Sequence, residues 1–122
     1  MPTKHPADRA ELGRRGEVLA CARLTAAGLR IVARNWRCQT GEIDVVAEAP
    51  GLLVFCEVKT RRGDGYCTPA AAVNAAKQAQ LRRAGAYLRA TPHRHCRVRF
   101  DVVAVVWPRR GEPRVEHLKG VL

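Results

Sequence analysis

The spacing of apolar residues along the first part of the chain predicts a helix. Over residues 8–27 apolar side chains recur every three or four positions, as Leu12 and Leu24 illustrate, which is the spacing of one helix face. Asp8 begins this range and can accept hydrogen bonds from the unpaired amides of a first turn. Gly28 follows it and suits the left-handed conformation in which many helices end. We therefore expect an amphipathic helix over this range.

Beyond this helix the apolar pattern predicts four strands and one further helix. The strands are expected at residues 29–36, 42–49, 52–60 and 97–107, and the helix at residues 69–90. Since the last two strands and the helix between them form a βαβ unit, the prediction is an α/β fold in which a mixed sheet carries helices on both faces. Residues 1–122 form one domain with a core over about 8–107, and residues 108–122 start as a loop and can add a short edge strand.

The second and third predicted strands carry charges inside their apolar pattern. Glu42 and Asp44 lie in one strand, and Glu57 and Lys59 lie in the next. Folding the two strands into a hairpin places Asp44 opposite Glu57, with Glu42 and Lys59 as the next pair outward. Directly opposed side chains have Cβ atoms about 4.5–5.5 Å apart, a separation at which two carboxylates repel each other. Because Mg²⁺ is commonly held by one or two carboxylates, a cation would turn this repulsion into attraction, and the hairpin is a candidate metal site.

The same register predicts an entirely apolar face on the other side of the hairpin. Its members alternate along the two strands and are Ile43, Val45, Ala47, Val54, Cys56 and Val58.

The alternative for Asp44 and Glu57 is a rim of solvated acids neutralised by Lys59 and Arg61. A three-residue loop would also shift the register by one residue and separate the two acids across the faces.

The charge of the chain favours a polyanionic partner. Lys and Arg number 22 against 11 Asp and Glu, which gives a formal net charge of +11. Most of these cations are Arg, whose planar guanidinium group suits phosphates. Nucleic acid is the simplest such partner, and a generally basic surface is the alternative.

Cysteine content and apolar runs restrict the cellular compartment. The five cysteines are an odd number without a CxxC pair, which argues against a disulfide framework and a structural zinc site. No apolar run approaches the roughly 18 residues of a membrane span, and the first residues lack the apolar segment of a secretory signal. We expect a cytoplasmic protein that does not bind membranes.

The acidic hairpin belongs to a wider pattern that resembles a known family. Asp44, followed after twelve residues by Glu57-Val58-Lys59, resembles the D…(D/E)xK signature of the PD-(D/E)xK nuclease superfamily. Glu42 is an additional acid that this motif does not require. Five blocks in order resemble the YraN-type family of small bacterial proteins, which is similar to Holliday-junction resolvases: Gly13–Glu17, Gly41–Ala47, Phe55–Arg61, Ala72–Leu81 and Arg99–Val105.

This resemblance implies a restriction-endonuclease-like α/β/α core and Mg²⁺- or Mn²⁺-dependent hydrolysis of a phosphodiester. By position, Asp44 and Glu57 would hold the metal. Lys59 would orient or deprotonate the attacking water and stabilise negative charge in the transition state. Glu17 matches a helix glutamate that completes the acidic cluster in resolvase-like members; an exposed acid paired with a neighbouring arginine is the alternative. Because resolvases act as dimers, the resemblance also implies a homodimer.

Several residues outside the acidic set are predicted to contact the substrate. Arg61 and Arg62 begin a polar loop beside the site, and we expect them to contact the DNA backbone; an ordinary surface loop is the alternative. Lys77 and Gln80 on the second helix are further candidates for phosphate contacts, although a solvated helix lysine is the alternative for Lys77. Asp101 lies among apolar residues of the last predicted strand, where a hydrogen-bonded structural acid is expected.

Three functions are compatible with these patterns. The first is a Mg²⁺-dependent endonuclease that cleaves DNA, including branched or junction DNA. The second is a non-catalytic nucleic-acid-binding module on the same fold, and the third is a small scaffold protein whose basic surface meets an acidic partner. The combination of Asp44, the Glu57–Lys59 motif and Glu17 favours the first.

Overall fold

The computed structural model of the chain describes residues 8–63, 69–92 and 97–121, and over residues 69–79 it describes the helical backbone alone. In chain order the elements are α1 (Arg9–Ala26), β1 (Arg30–Cys38), β2 (Gly41–Ala49), β3 (Leu52–Arg62), α2 (Pro69–Ala90), β4 (Arg97–Trp107) and β5 (Arg114–Leu118). Neither of the described helices combines the length and the apolar character needed to cross a membrane.

The strands form one mixed sheet in the order β1-β2-β3-β4-β5. β3 and β4 are parallel and are connected by α2, whereas the other neighbouring pairs are antiparallel. This confirms the predicted α/β fold and its βαβ unit. The edge strand expected after residue 108 is β5, which pairs with β4.

The first helix begins and ends where the sequence predicts. Asp8 accepts a hydrogen bond from the amide of Glu11 at 2.8 Å, which satisfies one of the unpaired N–H groups of the first turn. Gly28 follows the last turn with a φ of +91°, a conformation that glycine adopts readily. In the middle of α1, a Cβ atom built on Gly16 would come within 2.1 Å of the Oγ1 atom of Thr60 in β3. The absence of a side chain at Gly16 therefore lets α1 approach the sheet closely.

The two helices cover opposite faces of the sheet. The apolar layer beneath α1 includes Leu12, Ala20, Leu24, Val45, Ala47, Val54, Cys56, Val103, Val105 and Trp107. The layer beneath α2 contains Ile43, Val46, Leu53, Phe55, Ala84 and Tyr87. Consecutive strand residues fall in different layers, because successive side chains of a strand point to opposite faces.

Strand β2 departs from this alternation at Asp44. The predicted apolar face grouped Ile43 with Val45 and Ala47. This is wrong for Ile43, which packs beneath α2 while Val45 and Ala47 pack beneath α1. Residues two positions apart share a face in a regular strand, so the pleat is interrupted between Ile43 and Val45. Asp44 lies at the interruption and lines a cavity together with residues of α1.

A buried acid connects the edge strand to the rest of the sheet. Asp101 of β4 is fully buried and accepts hydrogen bonds from two nitrogens of Arg99, at 2.9 and 2.8 Å. The amide of Gly120 donates to it at 2.9 Å, and the Nε2 atom of His117 in β5 lies 2.7 Å from its Oδ2 atom. These contacts confirm that Asp101 is a hydrogen-bonded structural acid.

Candidate metal centre

The hairpin of β2 and β3 keeps the predicted register near its turn. Pairing runs from Ala49↔Leu52 to Val45↔Cys56 and stops there. Asp44 and Glu57 are consequently not a ladder pair, which corrects the predicted opposition of these acids. Asp44 instead accepts a hydrogen bond from the amide of Val58 at 2.8 Å. A side chain of β2 therefore takes the place of the backbone carbonyl that a continued ladder would supply.

Three acids from two elements meet beside this hydrogen bond. Glu17 of α1 and Glu42 and Asp44 of β2 each offer a carboxylate oxygen, and these oxygens all lie within 4.8 Å of one another. The sequence predicts Glu17 and Asp44 for the site but assigns no role to Glu42. The available signal for Glu42 is its position two residues before Asp44, on the same predicted strand face.

A cavity of about 780 Å³ contains this acid cluster. One wall belongs to α1 and the other to strands β1, β2 and β3. Four cationic residues lie around the acids, namely Arg9, Arg14, Arg37 and Lys59, and the three arginines are exposed. Acids that can hold a cation and cations that can hold an anion thus share one cavity.

Glu57 and Lys59 lie next to the cluster without being part of it. The Nζ atom of Lys59 is 3.4 Å from Oε1 of Glu57, whose side chain is only 13% exposed. The second carboxylate oxygen of Glu57, Oε2, is buried and has no hydrogen-bond partner among the described residues. Glu57 therefore forms an ion pair with Lys59, and it is also near enough for its negative charge to act on Asp44.

Burial and the negative charge of neighbouring acids destabilise the charged forms of Asp44 and Glu17. Burial, followed by the negative charge of Glu57, raises the pKa of Asp44 to about 7, although a backbone hydrogen bond opposes the shift. Burial also raises the pKa of Glu17; the charge of Arg34 opposes this rise and that of Glu42 adds to it. A bound cation would favour the charged form of every acid in the group. The raised pKa values of Asp44 and Glu17 therefore make these two carboxylates candidates for holding a cation.

Three polar side chains that the sequence does not predict for the site fix the position of Glu42. The side-chain amide of Asn35 lies 2.8 Å from Oε1 of Glu17 and 2.8 Å from Oε1 of Glu42. Since both oxygens are acceptors, the amide atom that faces them is the nitrogen, which donates to both. The Nε atom of Arg37 lies 3.4 Å from Oε2 of Glu42, and Arg83 of α2 donates to the Glu42 carbonyl at 2.9 Å.

The four residues predicted to contact DNA do not share one environment. Arg61 and Arg62 are exposed and form the end of β3. Gln80 is fully buried, and its amide has no hydrogen-bond partner among the residues that the structure describes. A buried side chain does not reach a DNA backbone, which corrects the assignment of Gln80. The side chain of Lys77 lies outside the described residues.

Comparison with known protein families identifies a match over most of the chain. A sequence model described as "Uncharacterised protein family UPF0102" matches residues 16–105, a span that contains all three clustered acids. The chain belongs to the UPF0102 family. This confirms the resemblance to the YraN-type family on which the sequence prediction depends.

Several bacterial relatives named UPF0102 protein match nearly the whole chain. A relative from Clavibacter michiganensis subsp. michiganensis is 51% identical over 107 residues, which cover 87% of this chain and 91% of the relative. One from Streptomyces griseus subsp. griseus is 50% identical over 119 residues, with 93% and 97% covered. One from Mycobacterium avium is 44% identical over 124 residues, with 99% and 97% covered. Because neither these names nor the family description states an activity, membership of UPF0102 assigns none.

Proposed function

We propose that this UPF0102 protein is a metal-dependent phosphodiesterase that cleaves DNA, with Mg²⁺ or Mn²⁺ as its cofactor. The observation that carries the proposal is the meeting of Glu17, Glu42 and Asp44, whose carboxylate oxygens lie within 4.8 Å of one another. Lys59 lines the same cavity. Clustered carboxylates can hold a metal ion that promotes hydrolysis of a phosphodiester, and an adjacent amine can stabilise the negative charge that develops.

The donor atoms of the cluster fit a hard divalent cation. Glu17, Glu42 and Asp44 offer only carboxylate oxygens, which Mg²⁺ and Mn²⁺ prefer over softer donors. Glu57 is adjacent, and its unpartnered Oε2 atom is a further oxygen ligand within the same region. In this proposal Asp44 keeps its predicted role, and Glu17 and Glu42 join it as the nearest ligands. A divalent cation bound there would withdraw charge from a phosphodiester and make a coordinated water easier to deprotonate.

Lys59 supplies the second chemical group of the proposed site. Its ammonium lies 3.4 Å from Oε1 of Glu57, which restrains a long and otherwise flexible side chain. From this position Lys59 orients the attacking water and stabilises the negative charge that develops on the phosphate oxygens. Glu57 then acts on the reaction through the lysine as well as through its proximity to Asp44.

The distribution of cations supports a nucleic-acid substrate. Arg9, Arg14 and Arg37 are exposed around the acids, and Arg61 and Arg62 are exposed at the end of β3. Guanidinium groups at the rim of an acidic centre can hold the phosphates on either side of the one that is cleaved. Branched or junction DNA is the substrate that the resolvase resemblance favours. The homodimer and the cytoplasmic location stay predictions.

The proposal is tested by cleavage assays with labelled DNA. Single strands, duplexes, flaps and four-way junctions are incubated with the purified protein in Mg²⁺, in Mn²⁺ and in chelator. We expect cleavage that requires the metal, and a loss of rate of about 100-fold or more in Asp44→Asn and in Lys59→Ala. A matched control is Glu48→Gln, because Glu48 lies in the same strand but pairs with Arg30 outside the cavity.

Two outcomes would contradict this proposal. If the wild-type protein cleaves none of these substrates with either metal, catalysis is absent. If Asp44→Asn cleaves as fast as the wild-type protein, the acids are not the catalytic centre.

A second candidate function is a non-catalytic nucleic-acid-binding module, which the exposed arginines and the net charge of +11 favour. Such a module would bind DNA with an affinity that falls steeply as salt rises. Its affinity would also survive Asp44→Asn in the absence of metal. A filter-binding titration at two salt concentrations distinguishes the two functions when it is combined with the cleavage assay.

A further inference from the structure

Asn35 adopts a backbone conformation that is unusual inside a strand. Its φ is +52°, and it is the only residue other than glycine with a positive φ in the part of the chain that the structure describes. Its neighbours Arg34 and Trp36 pair normally with Val45 and Ile43 of β2. The left-handed conformation costs about 1–2 kcal/mol for a residue with a side chain, although Asn tolerates it better than most. Some other interaction must therefore hold Asn35 in this conformation.

Core packing does not explain this conformation, because Asn35 is exposed. The residue opposite Asn35 is Asp44, since the pairs on either side join Arg34 to Val45 and Trp36 to Ile43. Asp44 is the position at which β2 loses its regular alternation. The irregular positions of the two strands, Asn35 in β1 and Asp44 in β2, are thus opposite each other in the sheet and lie directly beside the acid cluster.

The contacts of the Asn35 side chain supply an explanation. Its amide nitrogen lies 2.8 Å from Oε1 of Glu17 and 2.8 Å from Oε1 of Glu42. An amide NH₂ group has two hydrogens, so one nitrogen can donate to both carboxylates. Glu17 comes from a helix and Glu42 from a strand, and two like charges would otherwise move apart.

We infer that Asn35 is a positioning residue of the proposed metal centre, whose amide holds the carboxylates of Glu17 and Glu42 at the separation that one divalent cation can bridge. The role in metal binding rests on the proposed function, whereas the contact of Asn35 with the two carboxylates does not depend on any metal. Asparagine suits the task because it combines two donor hydrogens with tolerance of positive φ. Aspartate at this position would add a further negative charge, and serine would offer a single donor on a shorter side chain.

Two substitutions separate the effect of losing the side-chain amide from the effect of straining the backbone. Asn35→Gly removes the amide but adopts the positive φ readily, whereas Asn35→Ala removes the amide and also strains the backbone. We expect both variants to bind Mn²⁺ about tenfold more weakly or worse, as loss of a residue that orients metal ligands usually causes. The melting temperature should fall in Asn35→Ala and stay near that of the wild-type protein in Asn35→Gly. Wild-type Mn²⁺ affinity in Asn35→Gly would overturn the inference.

A double-mutant cycle tests whether Asn35 acts through the two glutamates. In a Glu42→Gln background, Asn35→Gly should weaken Mn²⁺ binding by less than about threefold, because the amide no longer has two carboxylates to hold together. An unchanged tenfold effect in that background would show that Asn35 acts by another route and would overturn the inference.

A metal-free measurement separates this inference from the proposed function. In spectra of ¹⁵N-labelled protein recorded in chelator, the side-chain amide signal of Asn35 should shift in Glu17→Gln and in Glu42→Gln. It should not shift in the control Glu48→Gln. If the wild-type protein binds no Mn²⁺ but these shifts occur, the metal centre is wrong and the positioning contact stands. If neither glutamine variant shifts the signal, the positioning contact is wrong whatever the protein binds.

Discussion

Two aspartates lie inside apolar strands of this protein, and their surroundings differ. Asp101 of β4 receives hydrogen bonds from Arg99 and Gly120 and contacts His117. Within the part of the chain that the structure describes, Asp44 of β2 receives one hydrogen bond, from the amide of Val58. Burial alone would raise the pKa of Asp101, but the hydrogen bonds of its neighbours outweigh burial and lower it. Burial raises the pKa of Asp44 to about 7, and nearby acids reinforce the shift.

The comparison distinguishes a structural acid from a candidate functional one. The negative charge of Asp101 is balanced within the protein, so no ligand is needed there. The charge of Asp44 faces Glu17 and Glu42 and gains no comparable compensation from the residues around it. A buried acid whose charged form is disfavoured marks a functional candidate with a physical rationale. The predictions below ask whether the two aspartates behave as differently as their contacts indicate.

The largest expected effect is on stability. Asp101→Asn removes the charge that Arg99 faces in a buried network, and breaking such a pair costs about 3–5 kcal/mol of unfolding free energy. Urea unfolding at neutral pH measures this loss. The control Glu116→Gln changes an exposed acid of β5 and should have almost no effect. A loss below about 1 kcal/mol for Asp101→Asn would contradict the structural role.

The second prediction concerns metal binding. Asp44→Asn should weaken Mn²⁺ binding by about 100-fold, because one of three clustered ligands loses its charge. Asp101→Asn, measured at a temperature where it is folded, should leave the affinity within about threefold of wild type. Isothermal titration calorimetry provides both values. Equal losses in the two variants would mean that the difference between the aspartates is not functional.

The third prediction concerns pH in the metal-free protein, where the two aspartates act in opposite directions. The pKa of Asp44 rises on folding from 3.8 to about 7, so its contribution to stability is complete below 3.8 and is lost as pH rises through about 7. The pKa of Asp101 falls on folding, so its contribution is present above 3.8 and is lost as pH falls.

Between about pH 5 and 7 the unfolding free energy should therefore decrease with pH by up to about 1.4 kcal/mol per unit from Asp44, and Glu17 acts in the same direction. Urea unfolding in chelator measures this slope, which should become shallower in Asp44→Asn. A slope that does not change in this variant would contradict the assigned pKa.

The last prediction concerns the helix that carries Glu17. Gly16→Ala would force a Cβ atom against Thr60, which should cost about 1–3 kcal/mol and move Glu17 away from the other acids. Gly13→Ala is the matched control, because a Cβ atom there meets nothing within 4 Å. It should be neutral or stabilising by about 0.5–1 kcal/mol, since Ala favours helices more than Gly does. Thermal unfolding and Mn²⁺ binding of both variants test the pair, and equal behaviour would contradict the close packing of α1.

The sequence by itself determined the elements, the fold class and part of the site. Helix α2 and strand β4 have the predicted bounds, since apolar spacing and flanking residues are local properties of the chain. The register of the β2–β3 hairpin next to its turn was predictable for the same reason. Asp44 was identified from the charges inside the strand pattern and Glu17 through the family resemblance, and their carboxylate oxygens lie within 4.8 Å of each other.

Only the tertiary structure decided which acids lie together. Regular alternation cannot reveal that the pleat is interrupted at Asp44, opposite Asn35, whose φ is positive and whose amide contacts Glu17 and Glu42. Glu42 therefore lies with Glu17 and Asp44 while Glu57 is adjacent to them, and Gln80 is buried instead of exposed. The physical reason is that a strand pattern predicts which face of the sheet a side chain lies on only while the backbone is regular. Where the backbone becomes irregular depends on side-chain hydrogen bonds between elements that are distant in the sequence.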